Sequence, residues 1–298
     1  VQTQLIATIA DSYYSLLMLD KQLSITRETA KNWEENLRVM KALKRTGQRN
    51  DAAVAQAEAN KLSADASVLN LERQIHELEN SFSTLLGIVP QQIERGNLSD
   101  LNFNVELSVG VPLEMINNRP DVRQAEYSLA QAFYATNQAR SAFYPQITLS
   151  GSAGWTNSSG AAIVNPGKWL LNAVGSLTQP VFNRGKNVAQ LKIAKAQQEE
   201  AVLAFQQKIL NAGADVNDAL TQWQTAQKCL QIDKQQIELL ESAVRSTQLL
   251  MRHGNTNYLE VLTAQQTLLQ ARLTEVSDKY NEIQGVISLY HSLGGGID

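Results

Sequence analysis

Residue types that catalyse reactions or bind metals are scattered in this sequence. The three histidines, His76, His253 and His291, share no spacing that would place them on one metal ion. The single cysteine, Cys229, excludes an intrachain disulfide and any site built from several cysteines. The sequence contains no phosphate-binding glycine loop, nucleophile elbow or zinc-binding histidine motif. We therefore expect a protein that is not an enzyme and that has no cofactor and no metal site.

One pair of carboxylates has a spacing suited to acid and base chemistry. Asp215 and Asp218 lie three residues apart, which on a helix places them on the same face. A polar, solvent-exposed helix face explains the same spacing without any chemistry, and we favour that interpretation.

The composition favours long helices and argues against nucleic acid as a partner. The chain has 298 residues, of which 26 are basic and 29 acidic, so it lacks the basic excess of nucleic-acid-binding proteins. Aromatic residues make up 6% of the chain and there are only 6 prolines. The apolar runs are far shorter than the roughly 20 residues of a membrane-spanning helix, whereas a spanning strand needs only about 9 to 11.

The chain contains two copies of one helical unit. A shift of 207 positions, the difference between Gly254 and Gly47, aligns its beginning with its end without a gap. In each copy apolar residues recur at alternating steps of four and three, and the glycine is the break, so each copy predicts a helical hairpin with a tight turn. These seam residues are Val68, Leu71, Ile75, Leu78, Phe82 and Leu85, and then Leu269, Leu273, Val276, Tyr280, Ile283, Ile287 and Tyr290.

The two copies are not identical, and the second contains a very long helix. Their seams are offset by one residue under the 207-residue shift, so the copies need not pack identically. The first arm of the second hairpin is predicted over 187–252, with only Gly213 interrupting it. A helix of that length would extend roughly 100 Å, which requires lateral partners along its whole length.

Other elements separate the copies. Residues 88–120 contain three prolines and two glycines, which predicts irregular structure. A helix is predicted over 121–142, because Pro120 and Asp121 are favourable at a helix start. Residues 147–155 and 168–178 alternate apolar with small or polar side chains, which predicts two strands, each with one apolar face.

The strands carry aromatic residues where a membrane protein needs them. Trp155 and Trp169 are at the strand ends nearest the connecting loop, so they are candidates for an aromatic girdle at a membrane interface. The strand pair precedes the second copy, whereas the matching positions of the first copy would lie before Val1. We therefore expect the sequence to be a piece of a longer chain whose N-terminal part holds another strand pair and any targeting signal.

Four segments carry a resemblance to a known family. The sequence resembles the outer membrane factor family, the TolC/OprM-like exit ducts of tripartite efflux pumps and type I secretion. The block Arg119-Pro120-Asp121 resembles the branch that works with RND-type drug or metal pumps. The segments are 118–126 (NRPDVRQAE), 139–151 (ARSAFYPQITLSG), 177–182 (LTQPVF) and 258–265 (YLEVLTAQ).

The resemblance implies a mainly α fold: duplicated long helical hairpins that form a trimeric α-barrel, plus a β-hairpin that contributes to a shared transmembrane β-barrel. It implies a homotrimer in the outer membrane of a Gram-negative bacterium, extending into the periplasm and contacting outer membrane lipid. Its partners would be a periplasmic membrane fusion adaptor protein and an inner-membrane RND-type pump. The protein would act as a passive exit duct for drugs or other small toxic compounds, with a gated periplasmic tip.

The resemblance also implies a division of the chain into segments. The first hairpin would occupy 1–87 and the second 183–294, followed by a tail at 295–298. Between them would lie an equatorial segment at 88–120, a helix leading to the membrane at 121–146 and the strand pair at 147–182.

The gate and lumen candidates are at the hairpin tips. Glu260 matches a position at which family members can carry a lumen-facing acidic ring, where three symmetry-related carboxylates would attract cations. Inter-helix hydrogen bonds or ion pairs that hold the closed state are expected of Arg49, Asp51, Arg252 and Tyr258, although exposed ion pairs contribute only about 0–1 kcal/mol each. The turn residues expected to face the adaptor are Gly47, Asn50, Gly254 and Asn257.

Alternatives remain for the site and for the whole protein. A solvated glutamate on a helix face is the alternative explanation of Glu260. Thr263 and Ala53 replace aspartates that are common in relatives. The main alternative function is a pore-less periplasmic coiled-coil structural or adaptor protein that bridges membranes. It predicts strands with two polar faces, whereas Leu149 and Leu171 favour a lipid-facing band. An enzyme on a helical scaffold has no supporting group of residues.

Overall fold

The computed structural model describes residues 2–46, 51–98, 118–155, 169–253 and 258–295. By contacts the chain divides into two compact units, one made of Val1–Arg119 and Ala212–Asp298 and the other of Pro120–Asn211. None of the helices in the described ranges contains a stretch long and apolar enough to span a lipid bilayer. The elements are α1 (Gln2–Arg45), α2 (Asp51–Leu85), α3 (Pro120–Ser141), β1 (Gln146–Trp155), β2 (Trp169–Thr178), α4 (Lys186–Arg252) and α5 (Tyr258–Ser292).

The helix boundaries repeat with the offset found in the sequence. The last residues of α1 and α4, the first residues of α2 and α5, and the last residues of α2 and α5 are each 207 positions apart. Helix α4 is continuous through Gly213, where a Cβ would have no neighbour within 4 Å. The prediction of a mainly α chain with duplicated helical hairpins and one strand pair is confirmed.

The C-terminal caps of α2 and α5 are also equivalent. Gly87 and Gly294 have φ values of 71° and 75°, in the left-handed region that suits glycine. The amide of each glycine bonds three residues back, to Thr84 or His291, and the next amide bonds five residues back. This pair of bonds is the Schellman motif, so each copy ends its second helix by the same device.

The two copies differ in which helix face they bury. Ile75 in α2 is buried, and the position 207 residues later holds the buried Glu282. Ile283 in α5 is fully buried, whereas its counterpart His76 is exposed. The one-residue offset between the seams is therefore present in the packing.

Helix α1 packs on a different helix with each of its two faces. Leu16, Leu19 and Leu23 pack with Ile75 of α2. The adjacent Leu17 packs with Val276 and Ile283 of α5 and with Leu98. Because burial of a leucine side chain contributes about 1.5–3 kcal/mol, these contacts hold the two hairpins together.

The unit formed by Pro120–Asn211 contains α3, the strand pair and the first part of α4. Asp121 satisfies a backbone N–H in the first turn of α3, since its Oδ1 accepts the N–H of Val122 at 3.0 Å. Lys208 of α4 lies 3.4 Å from the other carboxylate oxygen of Asp121. The buried hydroxyl of Thr136 donates to the Ala194 carbonyl at 3.1 Å, which fixes α3 against α4.

The strands pair with their apolar faces together. They are antiparallel, with Ile147 opposite Leu177, Leu149 opposite Gly175 and Trp155 opposite Trp169. Directly opposed residues point to the same face of a sheet, so the predicted apolar faces of both strands coincide. The apolar side chains of this face are open to solvent, and those of Leu149 and Leu171 are 85% and 77% exposed.

Candidate functional site

The two hairpin tips share one hydrophobic cluster, which we call the tip core. It joins the last turns of α1, the first turns of α2 and the first turns of α5, and Met251 of α4 packs against it. The two copies therefore meet at their turns and cannot move independently there without breaking apolar contacts. The tip core consists of Trp33, Leu37, Met40, Val54, Ala57, Ala64, Tyr258 and Leu262.

Tyr258 belongs to the tip core. Its side chain is 7% exposed, and burial raises the pKa of its phenol above the ordinary value of 10.0. The hydroxyl has no hydrogen-bond partner within the described part of the chain. The tip hydrogen bond expected of Tyr258 is therefore absent there, and the residue contributes packing.

Tyr258→Phe is expected to keep the tip intact. Removing a buried hydroxyl that has no partner should leave the free energy of unfolding unchanged or raise it by up to about 1 kcal/mol. Thermal unfolding of the variant and the wild type would measure this difference. A loss of stability would show that the hydroxyl makes a bond after all.

An ion pair closes the first tip. Lys44, near the end of α1, pairs with Asp51 at the start of α2, and both side chains are largely exposed. Asp51 also places a negative charge in the first turn of α2, where it interacts favourably with the helix dipole. The predicted role of Asp51 in holding the tip closed is compatible with this pair, although an exposed pair contributes little free energy.

Glu260 lies on the exposed surface of the first turn of α5. It is two residues from Tyr258, so the position of its backbone is set by the tip core. A carboxylate in a first helical turn is stabilised by the helix dipole, which is a structural role that needs no pore. Thr263, the neighbouring departure from the family pattern, donates its hydroxyl to the Leu259 carbonyl at 2.9 Å.

Some of the predicted site residues lie outside the part of the chain that the structure describes. These are Gly47, Arg49, Asn50, Gly254 and Asn257. The backbone of Arg252 ends α4, and Trp155 and Trp169 are opposed at the strand ends next to the connecting loop.

Asp215 and Asp218 do not act as a pair. Asp215 lies 2.9 Å from the buried guanidinium of Arg119, which also donates to the Ser292 carbonyl at 3.3 Å. Asp218 is exposed on the surface of α4. Arg119 thus joins the chain just before α3 to α4 and to the end of α5, which is a structural role.

A buried ion cluster was missed by the sequence reading. Arg95 donates from Nη1 to Glu79 Oε1 at 2.6 Å and from Nη2 to Asp20 Oδ1 at 3.0 Å. Hydrogen bonding to Asp20 raises the pKa of Arg95 above its ordinary value. A signal was present, because Glu79 lies four residues after Ile75 and three before Phe82, which places it on the buried face of α2 next to the seam residue Leu78.

A tyrosine links the first and last helices. The hydroxyl of Tyr280 on α5 donates to Asp11 Oδ1 of α1 at 2.7 Å and accepts a bond from Ser15 at 2.9 Å. Burial and the nearby Asp11 raise the pKa of Tyr280 to about 12. The hydroxyl therefore stays protonated at neutral pH and keeps donating to the carboxylate.

Comparisons with known proteins agree with this architecture. The sequence model of the outer membrane efflux protein family matches residues 1–88 and 111–295. The cation efflux system protein CusC of Escherichia coli O6:H1 is 30% identical over 298 residues, covering 99% of this chain and 65% of CusC. This chain therefore spans just under two thirds of the length of that relative.

Solved structures of outer membrane channels superpose on nearly the whole chain. A crystal structure of CusC gives a TM-score of 0.91 at 29% identity, covering 99% of this chain and 69% of that chain. The open state of the Neisseria gonorrhoeae MtrE outer membrane channel gives a TM-score of 0.87 at 28% identity, covering 100% and 67%. The long helical hairpins and the strand pair are thus an arrangement already seen in channel proteins.

Proposed function

Since this chain belongs to the outer membrane efflux protein family, we propose that it is the greater part of a passive exit duct of a tripartite efflux pump. The duct is a homotrimer in the outer membrane of a Gram-negative bacterium and extends into the periplasm. Its substrates are drugs or other small toxic compounds, which pass through without chemical change. CusC is named for cation efflux, but a duct need not recognise its cargo, so we assign no narrower substrate to this chain.

The exposed apolar face of the strand pair is the observation that carries the proposal. Ile147, Leu149, Leu171 and Leu177 are each at least 70% exposed on one face of β1 and β2. Apolar patches of this kind are uncommon on the surface of a soluble protein and are suited to lipid. In this proposal the pair joins strands of other parts of the trimer in a shared β-barrel, with Trp155 and Trp169 in the interfacial girdle.

The main alternative is the pore-less periplasmic protein that bridges membranes. It needs a strand pair that is polar on both faces, because the pair would then be a soluble cap. The exposure of Leu149 and Leu171 argues against it. We therefore keep it as the outcome that a conductance measurement would reveal.

The gate in this proposal is at the hairpin tips. The turns at Gly47 and Gly254, with Asn50 and Asn257, face a periplasmic adaptor protein, and the inner-membrane RND-type pump acts through it. Contacts with these partners favour a dilated arrangement of the tips over a closed one. The tip core supports coupled movement of both hairpins, because it contains residues of α1, α2 and α5.

Glu260 is the residue that we expect to control ion passage. In the trimer three Glu260 carboxylates approach one axis, where they attract cations and repel each other. Arg49, Asp51 and Arg252 then supply the charges around this ring. Tyr258 contributes by fixing the backbone that carries Glu260.

Glu260→Ala is expected to reduce the cation preference of the pore. Planar-bilayer conductance of the full-length gene product, wild type and variant in the same salt, measures this preference. A matched control is Glu238→Ala, which removes an exposed glutamate from α4 well before its end. The control should conduct like the wild type, since its charge is not at the tip.

The three outcomes separate the alternatives. A small cation-preferring conductance that loses its preference only in Glu260→Ala supports both the duct and the gate. A pore whose cation preference is unchanged in Glu260→Ala supports the duct but contradicts the assignment of the gate to Glu260. Absence of conductance from protein that is verified to be membrane-inserted contradicts the duct and favours the bridging protein.

A further inference from the structure

Carboxyl groups from two helices face each other between α4 and α5. Asp233 on α4 is 7% exposed, and its Oδ2 has no hydrogen-bond partner within the described ranges. Across the interface lie Asp278 and Glu275 of α5, because the side-chain bonds Gln227–Glu282 and Glu241–Arg272 on either side set a register that places Asp278 opposite Asp233. A buried carboxylate without a donor is costly, because burial removes the water that solvates its charge.

Cations do not neutralise this contact. No basic side chain in the described part of the chain forms an ion pair with Asp233. Lys279 is paired with Glu282, 2.7 Å away, and Lys234 is exposed. The charged side chains that α1, α4 and α5 present to the adjoining cavity of about 560 Å³ are Lys21, Lys234, Glu275, Lys279 and Glu282.

The carboxyls of Asp233 and Asp278 are placed so that they can share one proton. Two carboxyls within hydrogen-bonding reach attract each other only when one of them is protonated. Asn281 donates its amide to Asp278 Oδ1 at 3.1 Å, whereas Oδ2 of Asp233 has no donor, so a shared proton is best placed on Asp233 with Asp278 as its acceptor. No group of three or more His, Cys, Asp or Glu side chains among the described residues is arranged to hold a metal ion.

We propose that Asp233 and Asp278 form a proton-sharing carboxyl pair that tightens the contact between α4 and α5 as the pH falls. In acid the Asp233 carboxyl takes one proton from solvent and donates it in a hydrogen bond to Asp278. At higher pH the proton is released to solvent, and two carboxylates then repel across the interface, with Glu275 adding to the repulsion. The second hairpin thereby contains a pH-sensitive contact between its two helices, and this inference does not depend on the proposed function.

The direction of the pH effect follows from linkage. Burial, then the charges of Asp278 and Glu275, raise the pKa of Asp233 above its ordinary value of 3.8. A carboxyl with a higher pKa in the folded state binds more protons when folded. Its contribution to stability is therefore complete below the ordinary pKa and is lost as the pH rises through the folded value.

Asp233→Asn is the test variant, because asparagine keeps the shape, carries no charge and can donate to Asp278. Thermal unfolding of the full-length protein is followed from about pH 4 to pH 8. At neutral pH the variant should unfold about 2–4 °C higher than the wild type, and this difference should shrink toward zero in acid. Asp218→Asn is the matched control, since it removes an exposed aspartate from the same helix, and it should give no pH-dependent difference.

Infrared difference spectra between acid and neutral pH give a second readout that does not require reversible unfolding. The wild type should show a protonated-carboxyl band that titrates above free aspartic acid and that disappears in Asp233→Asn. Asp278→Asn should lower the midpoint of that titration. A melting difference independent of pH, or an infrared band unchanged in Asp233→Asn, would overturn the proposal.

Discussion

Gly285→Ala should destabilise the protein even though alanine is the better helix former. A Cβ at Gly285 of α5 would lie 2.9 Å from the backbone nitrogen and Cβ of Trp223 and 3.0 Å from its Cα. These atoms belong to the rigid part of α4, so the contact is relieved only by separating the helices. Such overpacking costs about 1–3 kcal/mol or more, which exceeds the gain of up to about 1 kcal/mol in helix propensity.

The chain offers a matched control for this variant. Gly213 also lies inside a helix, but a Cβ there would meet nothing within 4 Å. Gly213→Ala should therefore keep only the favourable helix term and stabilise the protein slightly. Urea unfolding of both variants, followed by far-ultraviolet circular dichroism, measures the two signs. Equal effects of both substitutions would show that α4 and α5 adapt to the added methyl group.

The features that repeat in the sequence could be predicted from it. The 207-residue offset between Gly47 and Gly254 placed both turns between helices whose ends differ by that same number. This worked because capping and turn formation are local, so similar segments end their helices alike. The alternating pattern of the strands likewise predicted one apolar face for each strand, since a period of two leaves only one face for the apolar residues, and the register brings these two faces together.

Features that depend on distant partners could not be predicted in the same way. The burial of Tyr258 was missed because two of the residues in its cluster, Trp33 and Met40, are more than 200 positions away in the chain. The partner of Asp215 was missed because Arg119 is brought to it only by the packing of the whole unit. The sequence pattern predicts on which face of a helix a polar residue lies, but it does not predict which residue of another helix lies opposite.

Arg95→Ala should cause the largest loss of stability among the variants considered. Arg95 and Glu79 are only 10% and 6% exposed, and the guanidinium also binds Asp20 of α1 through two of its nitrogens. Removing the cation leaves the buried Glu79 carboxylate without its guanidinium partner and beside only the exposed imidazole of His76, 3.4 Å away, which costs about 3–5 kcal/mol. It also weakens the attachment of the segment after α2 to α1, which then depends on the Gly96–Tyr13 hydrogen bond and on the packing of Leu98 against Leu17. Urea unfolding of the full-length protein measures this loss.

Two companion variants separate the buried cation from an ordinary ion pair. Arg73 pairs with Glu77 on the same helix α2, but both side chains are more than half exposed, so Arg73→Ala should change stability by less than about 1 kcal/mol. Adding Glu79→Gln to Arg95→Ala should recover part of the loss, because the amide carries no charge to leave unpaired. If the double variant is no more stable than Arg95→Ala, the loss of stability comes from the weakened attachment of the segment after α2. The unpaired charge of Glu79 is then not its cause.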